Sequence, residues 1–100
     1  MLYKSFKLNK RPWFIRYDPT MRRAKFIGGS HREYDGFCIA DSQEILLDPN
    51  ADNLPLAFKH ELVHSILYTM DHPLAENEDF VNAFSELLLE AETTLKERKG

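Results

Sequence analysis

The spacing of the apolar residues changes near Leu54, and that change limits the fold more than any other feature of the chain. Before it come short segments, "LYKSFKL" (2–8), "PWFIRY" (12–17), "GFCIA" (36–40) and "EILLD" (44–48), parted by turn-formers such as "NKR" and "DSQ". These read as strands, the last two as a β-hairpin. After it, Leu56, Phe58, Leu62, Val63, Ile66, Leu67 and Met70 recur at helical spacing, about 100° per residue. A second helical stretch runs from Glu76 to Arg98, with Val81, Phe84, Leu88, Ala91 and Leu95 as its stripe. Strands first and helices afterwards predict an α+β domain, a small antiparallel sheet covered on one face by helices.

Punctuation supports the same division. Asn53 suits an N-cap and Pro55 a first turn, while Pro73 in "DHPLAEN" separates the two helices. Lys96, Arg98 and Lys99 complement the negative end of the second. In "DPTMRRAKFIGG", Asp18 as cap, Pro19 at the first position and Gly28 or Gly29 at the end predict a short helix, with a strand at "AKFI" as the alternative.

One hundred residues make one domain, 1–100, with little core to spare. No apolar run approaches the length of a membrane span, and "MLYKSFKLNKRPW" lacks the pattern of a signal peptide. Cys38 is the single cysteine, which excludes an internal disulfide and a Cys-rich zinc site. A cytoplasmic protein with no membrane partner is expected.

Charge is unevenly placed. Residues 1–32 carry nine Lys and Arg against Asp18 alone, whereas residues 33–92 carry fourteen acids against Lys59. No nucleic-acid-binding module accompanies the basic third, so attraction between the two halves is the simpler reading and nucleic acid is not the expected partner. "RPWFIRY" does interleave basic and aromatic residues as single-strand binders do. It is read as a strand with Trp13 or Phe14 and Ile15 sharing the two faces.

Within the first helix stands "KHELVHSIL" (59–67). Residues four apart share a side of a helix, so His60 and His64 can offer imidazole nitrogens to a single ion. Glu61 points about 100° round the helix, within reach of a water held there. This is the H-E-x-x-H logic of a zinc hydrolase, with two ligands and a general base.

A catalytic zinc also needs a third protein ligand and an open fourth position. The metzincin continuation would put His or Asp six residues after His64; Met70 stands there, and no Gly precedes it. His72 is one candidate. On the second helix, Asp79, Glu86 and Glu90 fall opposite the Val81–Phe84–Leu88 stripe, and Glu92 borders it too far along. Glu78 borders the stripe near the helix start and is the preferred ligand. Tyr68, His72 and Tyr34 are candidates for stabilising an oxyanion, although Tyr68 is read first as an aromatic packing at the rim.

"LAFKHELVHSIL" followed by "NEDFVNAFSELLLEA" resembles the compact zincin-type (gluzincin) metallopeptidases related to the ImmA/IrrE group and the minigluzincins, often carried by phages and mobile elements. Their pattern, an HExxH helix, a short loop and E-x-x-A/V-x-x-F, falls on His60, Glu61, His64, Glu78, Val81 and Phe84. The resemblance covers most of residues 36–95. It implies Zn2+ at His60, His64 and Glu78, Glu61 as base and proton shuttle, and hydrolysis of a peptide bond. It also implies a protein or peptide substrate extended along an edge strand, for which "EILLD" is the expected strand. The alternative is a catalytically idle zinc-bearing interaction module, which would keep the same motif.

Overall fold

A computed structural model describes residues 3–28 and 35–98. Leu2, Gly29, Tyr34 and Lys99, named in the reading above, lie outside the described residues.

Strands β1 (Ser5–Leu8) and β2 (Arg11–Tyr17) form an antiparallel hairpin, Ser5 facing Phe14 and Leu8 facing Arg11. Asn9 and Lys10 both take positive φ (50° and 67°), the primed turn whose twist suits a two-residue hairpin. Strands β3 (Gly36–Ile39) and β4 (Glu44–Leu47) make the expected second hairpin. The two hairpins meet through β2 and β4, which run parallel with Ile15 facing Ile45, and the strand order is β1-β2-β4-β3.

The domain is therefore α+β as expected, but its sheet is mixed and not wholly antiparallel. The chain crosses from β2 to the far edge before turning back, so β4 returns in the direction of β2. A second correction follows: "EILLD" is an inner strand, and β3 is the edge. Ile45, Leu46 and Leu47 are all buried, as a strand covered on both faces requires.

Helices accordingly lie on both faces of the sheet and not on one. Trp13, Ile15, Ile45 and Leu47 pack against Leu54, Ala57 and Phe58 of helix α2 (Leu54–Thr69). On the opposite face, Leu46, Phe37 and Ile39 meet Met21 and Ala24, the latter on helix α1 (Arg22–Gly28). That helix starts three residues later than Pro19 would place it. Asp18 Oδ1 instead accepts the Thr20 N–H (2.9 Å) and the Thr20 hydroxyl (2.7 Å), closing a turn, and Met21 has φ 51°.

Helix α3 (Glu78–Thr94) forms a third layer on α2. Asn53 Oδ1 accepts the Leu56 N–H (3.1 Å) and Asn77 Oδ1 the Phe80 N–H (3.0 Å), so each long helix starts at an Asn cap. Val63 and Leu67 of α2, Ala75 of the loop and Val81 of α3 make the seam. On α3 it continues through Ser85, whose hydroxyl donates to the Val81 carbonyl at 2.7 Å. The expected stripe is thus displaced: Phe84 is 47% exposed, and Leu95 lies beyond the helix end. Lys59 Nζ and Glu92 Oε2, 2.7 Å apart, tie the two helices away from that seam.

Candidate metal centre

Caps and seam together fix where the histidines point. Because α2 is held between sheet and α3, its 60–64 side looks toward the first turn of α3, and Asn77 starts that turn with Glu78. His60 Nε2 lies 3.0 Å from Glu78 Oε2, His64 Nε2 lies 2.9 Å from Glu78 Oε1, and the two Nε2 atoms are 3.2 Å apart. One ligand atom from each residue falls within 4.8 Å of the others, so the group can hold a metal ion. A tetrahedral ion with arms of about 2.0–2.1 Å spaces its ligand atoms at about 3.3 Å, close to these separations. His60, His64 and Glu78 are the three residues that the sequence pattern singles out.

The orientation of His64 is set from behind. Its Nδ1–H donates to the Ala75 carbonyl at 2.7 Å, which leaves Nε2 as the lone-pair nitrogen facing the cluster. Such an outer bond fixes the tautomer and turns the ring toward a metal. His60 is drawn below the ordinary imidazole range, first by burial and then by the neighbouring His64, while Glu78 and Asn82 pull the other way. A neutral imidazole is the form that ligates.

Glu61 is buried at 6% exposure, its Oε2 4.0 Å from His60 Nε2. It backs onto the edge strand: a Cβ built at Gly36 would stand 2.8 Å from Glu61 Cγ and 3.0 Å from Oε2. A small cavity of about 160 Å³ is lined by Gly36, Phe37 and Cys38 of β3 together with His60, Glu61, His64, Tyr68 and Glu78. Glu61 and the cluster therefore share one wall with the strand edge.

No protein-family profile, curated protein or solved structure matches the chain. The chemistry of the site is accordingly read from its own geometry.

Cys38 faces that cavity, but burial, with the Glu61 carboxylate adding to it, pushes its thiol up. At neutral pH it is a protonated thiol and not a thiolate ligand. Tyr68 also lines the cavity, its ring 6.3 Å from that of His64. Burial raises its hydroxyl to about 12, so it stays a neutral phenol, and it donates to Glu76 Oε1 at 3.3 Å. It packs against His64 as a half-buried aromatic at the cavity wall. His72 is not brought to the cluster; its Nδ1 accepts the Leu74 N–H at 3.0 Å within the interhelical loop.

Two parts of the site escaped sequence reasoning. Gly36, in "YDGF", reads as a loop glycine, and its fit against Glu61 has no signal outside the folded structure. The Ala75 carbonyl is main chain and carries no residue-type signal at all.

Proposed function

We propose that this chain is a zinc-dependent metallopeptidase of the compact gluzincin kind. The observation that carries the reading is the joining of His60, His64 and Glu78 beside a buried Glu61, at the edge of a sheet. Two imidazoles and a carboxylate are a donor set that zinc accepts, with a fourth position left to exchange. When bound, zinc polarises a carbonyl oxygen and lowers the pKa of a water molecule towards 7.

Residues of the chain supply the rest. His60, His64 and Glu78 provide the ligand atoms, and the Ala75 carbonyl keeps His64 in the ligating tautomer. The peptide lies along β3, the edge strand that lines the cavity, in place of the inner "EILLD" strand. Main-chain hydrogen bonds along that edge would hold it extended. Glu61 takes a proton from the attacking water as the new C–O bond forms at the scissile carbonyl. It then passes that proton to the departing nitrogen as the C–N bond breaks, so the carboxylate is regenerated. Cytoplasmic location and a phage or mobile-element setting accompany this reading. They rest on the single cysteine and on the resemblance.

The test combines metal analysis with hydrolysis of a quenched-fluorescent peptide library. Purified protein should carry one zinc, His60→Ala should lose it, and Glu61→Gln should keep it while hydrolysis disappears. Absence of stoichiometric zinc defeats the proposal. Zinc without hydrolysis of any library member favours the idle interaction module.

A further inference from the structure

A second cavity, of about 350 Å³, opens beside the His60–His64–Glu78 group. Gly36, His60 and Glu61 line both it and the smaller cavity around that group, so the two meet at these residues. From there it reaches toward the start of α2. Leu56 and Ala57, about one helical turn before His60, give it an apolar side. Asp35 just before β3, Asp52 next to the Asn53 cap and Glu86 of α3 bring carboxylates to it. Glu86 stands there because Ser85, its neighbour, lies in the seam between the two helices.

Carboxylates dominate the charge of this cavity. Among the described residues, no Lys or Arg lines it. Lys59, on the same helix, is held by Glu92 and lines a different cavity. The start of α2 offers about half a positive charge, which the three acids outweigh. Nor do these acids converge on one point. Among the described residues, His60, His64 and Glu78 lie close enough together to hold a metal ion, whereas Asp35, Asp52 and Glu86 form no such group. Carboxylates spread round a cavity with an apolar side suit a long cationic side chain and not a bare ion. Lysine and arginine lay their methylene stems on apolar surface and keep the charged head among polar groups.

We propose that this cavity receives a lysine or arginine side chain of the peptide, beside the bond that is cut. The inference rests on the metallopeptidase reading and gives it a substrate class. A peptide extended along β3 passes Gly36, where the two cavities meet, and its alternate side chains point to the same side. The side chain next to the scissile bond enters over Leu56 and Ala57, and its cation meets Asp35, Asp52 and Glu86. An acidic side chain would meet like charge there, and an apolar one would gain nothing from the carboxylates.

The experiment maps cleavage sites in a peptide library digested by the full chain, then compares two quenched-fluorescent peptides. Lysine or arginine should be enriched at one fixed position flanking the cut. Exchange of lysine there for norleucine, its uncharged counterpart, should lower kcat/KM about ten-fold, as expected for two partly exposed ion pairs. Asp52→Asn combined with Glu86→Gln, both at exposed positions, should bring that ratio close to one. Asp52→Lys with Glu86→Lys should favour glutamate instead. Norleucine cut as fast as lysine overturns the inference while the metallopeptidase reading stands, and so does a ratio that both double variants leave unchanged. Where neither peptide is cut, the metallopeptidase reading fails, and fluorescence anisotropy of the same two peptides tests the cavity alone. Tighter binding of the lysine form then supports the cavity's preference, and equal affinity overturns it.

Discussion

Gly36 and Glu61 touch without room for one more carbon: a Cβ at Gly36 would come within 2.8 Å of Glu61 Cγ. The edge strand and the proposed base are therefore a fitted pair. Gly36→Ala should push the Glu61 carboxylate aside while leaving the three ligands in place. A misplacement of about 1 Å in a reacting group costs on the order of a hundred-fold in rate. Hydrolysis by Gly36→Ala should fall at least ten-fold with zinc content unchanged; full activity would separate Gly36 from the chemistry.

Metal binding should also be visible as stability, since the three ligands tie α2 to α3. At a free zinc concentration one hundred times the Kd, the gain is about 2.7 kcal/mol. For a domain of this size that corresponds to roughly 10–20 °C in Tm. Thermal unfolding with and without a chelator should show such a gap in the unaltered protein and almost none in Glu78→Gln. An equal gap in both would remove Glu78 from the ligand set.

The Arg23–Glu44–Arg16 group sets a pH window. Hydrogen bonds and charge from Arg23 outweigh partial burial and hold the Glu44 carboxyl at about 2. A carboxyl depressed on folding adds stability above its unfolded pKa, near 4.5, and loses it as pH falls towards 2. The arginines are about half exposed, so screening limits the contribution to about 1 kcal/mol. Urea unfolding should find Glu44→Gln less stable than the unaltered chain at pH 7, with the difference shrinking below pH 4.5. A difference that persists undiminished at pH 2 would assign it to packing.

Burial divides the helical and sheet positions sharply. Ile45→Ala empties a fully buried site shared by the sheet and α2 and should cost about 2–5 kcal/mol. Leu87→Ala, at an exposed position on α3, should stay within about 0.5 kcal/mol. Denaturant midpoints for the two variants test the layer arrangement directly.

The grouping of His60, His64 and Glu78, which could hold a metal ion, was legible because its members obey local rules. His60 and His64 share a helix side by spacing alone, and Glu78 follows an Asn cap that fixes the start of the next helix. Sheet order was not legible, because the pairing of β2 with β4 depends on where the chain crosses between them. A trace of it existed: "ILL" has no polar alternation, which is the pattern of a strand buried on both faces. Phase within α3 was misjudged at Phe84 because Ser85 is small enough to approach α2 and satisfies its hydroxyl on the Val81 carbonyl. The late start of α1 belongs to Asp18, whose carboxylate bonds Thr20 in a turn before the helix can begin.

The parallel pairing of β2 and β4 bears on the order in which the molecule assembles. It joins Phe14 to Glu44, some thirty residues later, across α1 and β3. The two hairpins, and α2 with α3, are built from near neighbours in the chain and need little loop closure. Docking the N-terminal hairpin onto β4 should thus be the slow step of folding. A full-length chain refolding from the denatured state would have its two long helices paired before its sheet is complete.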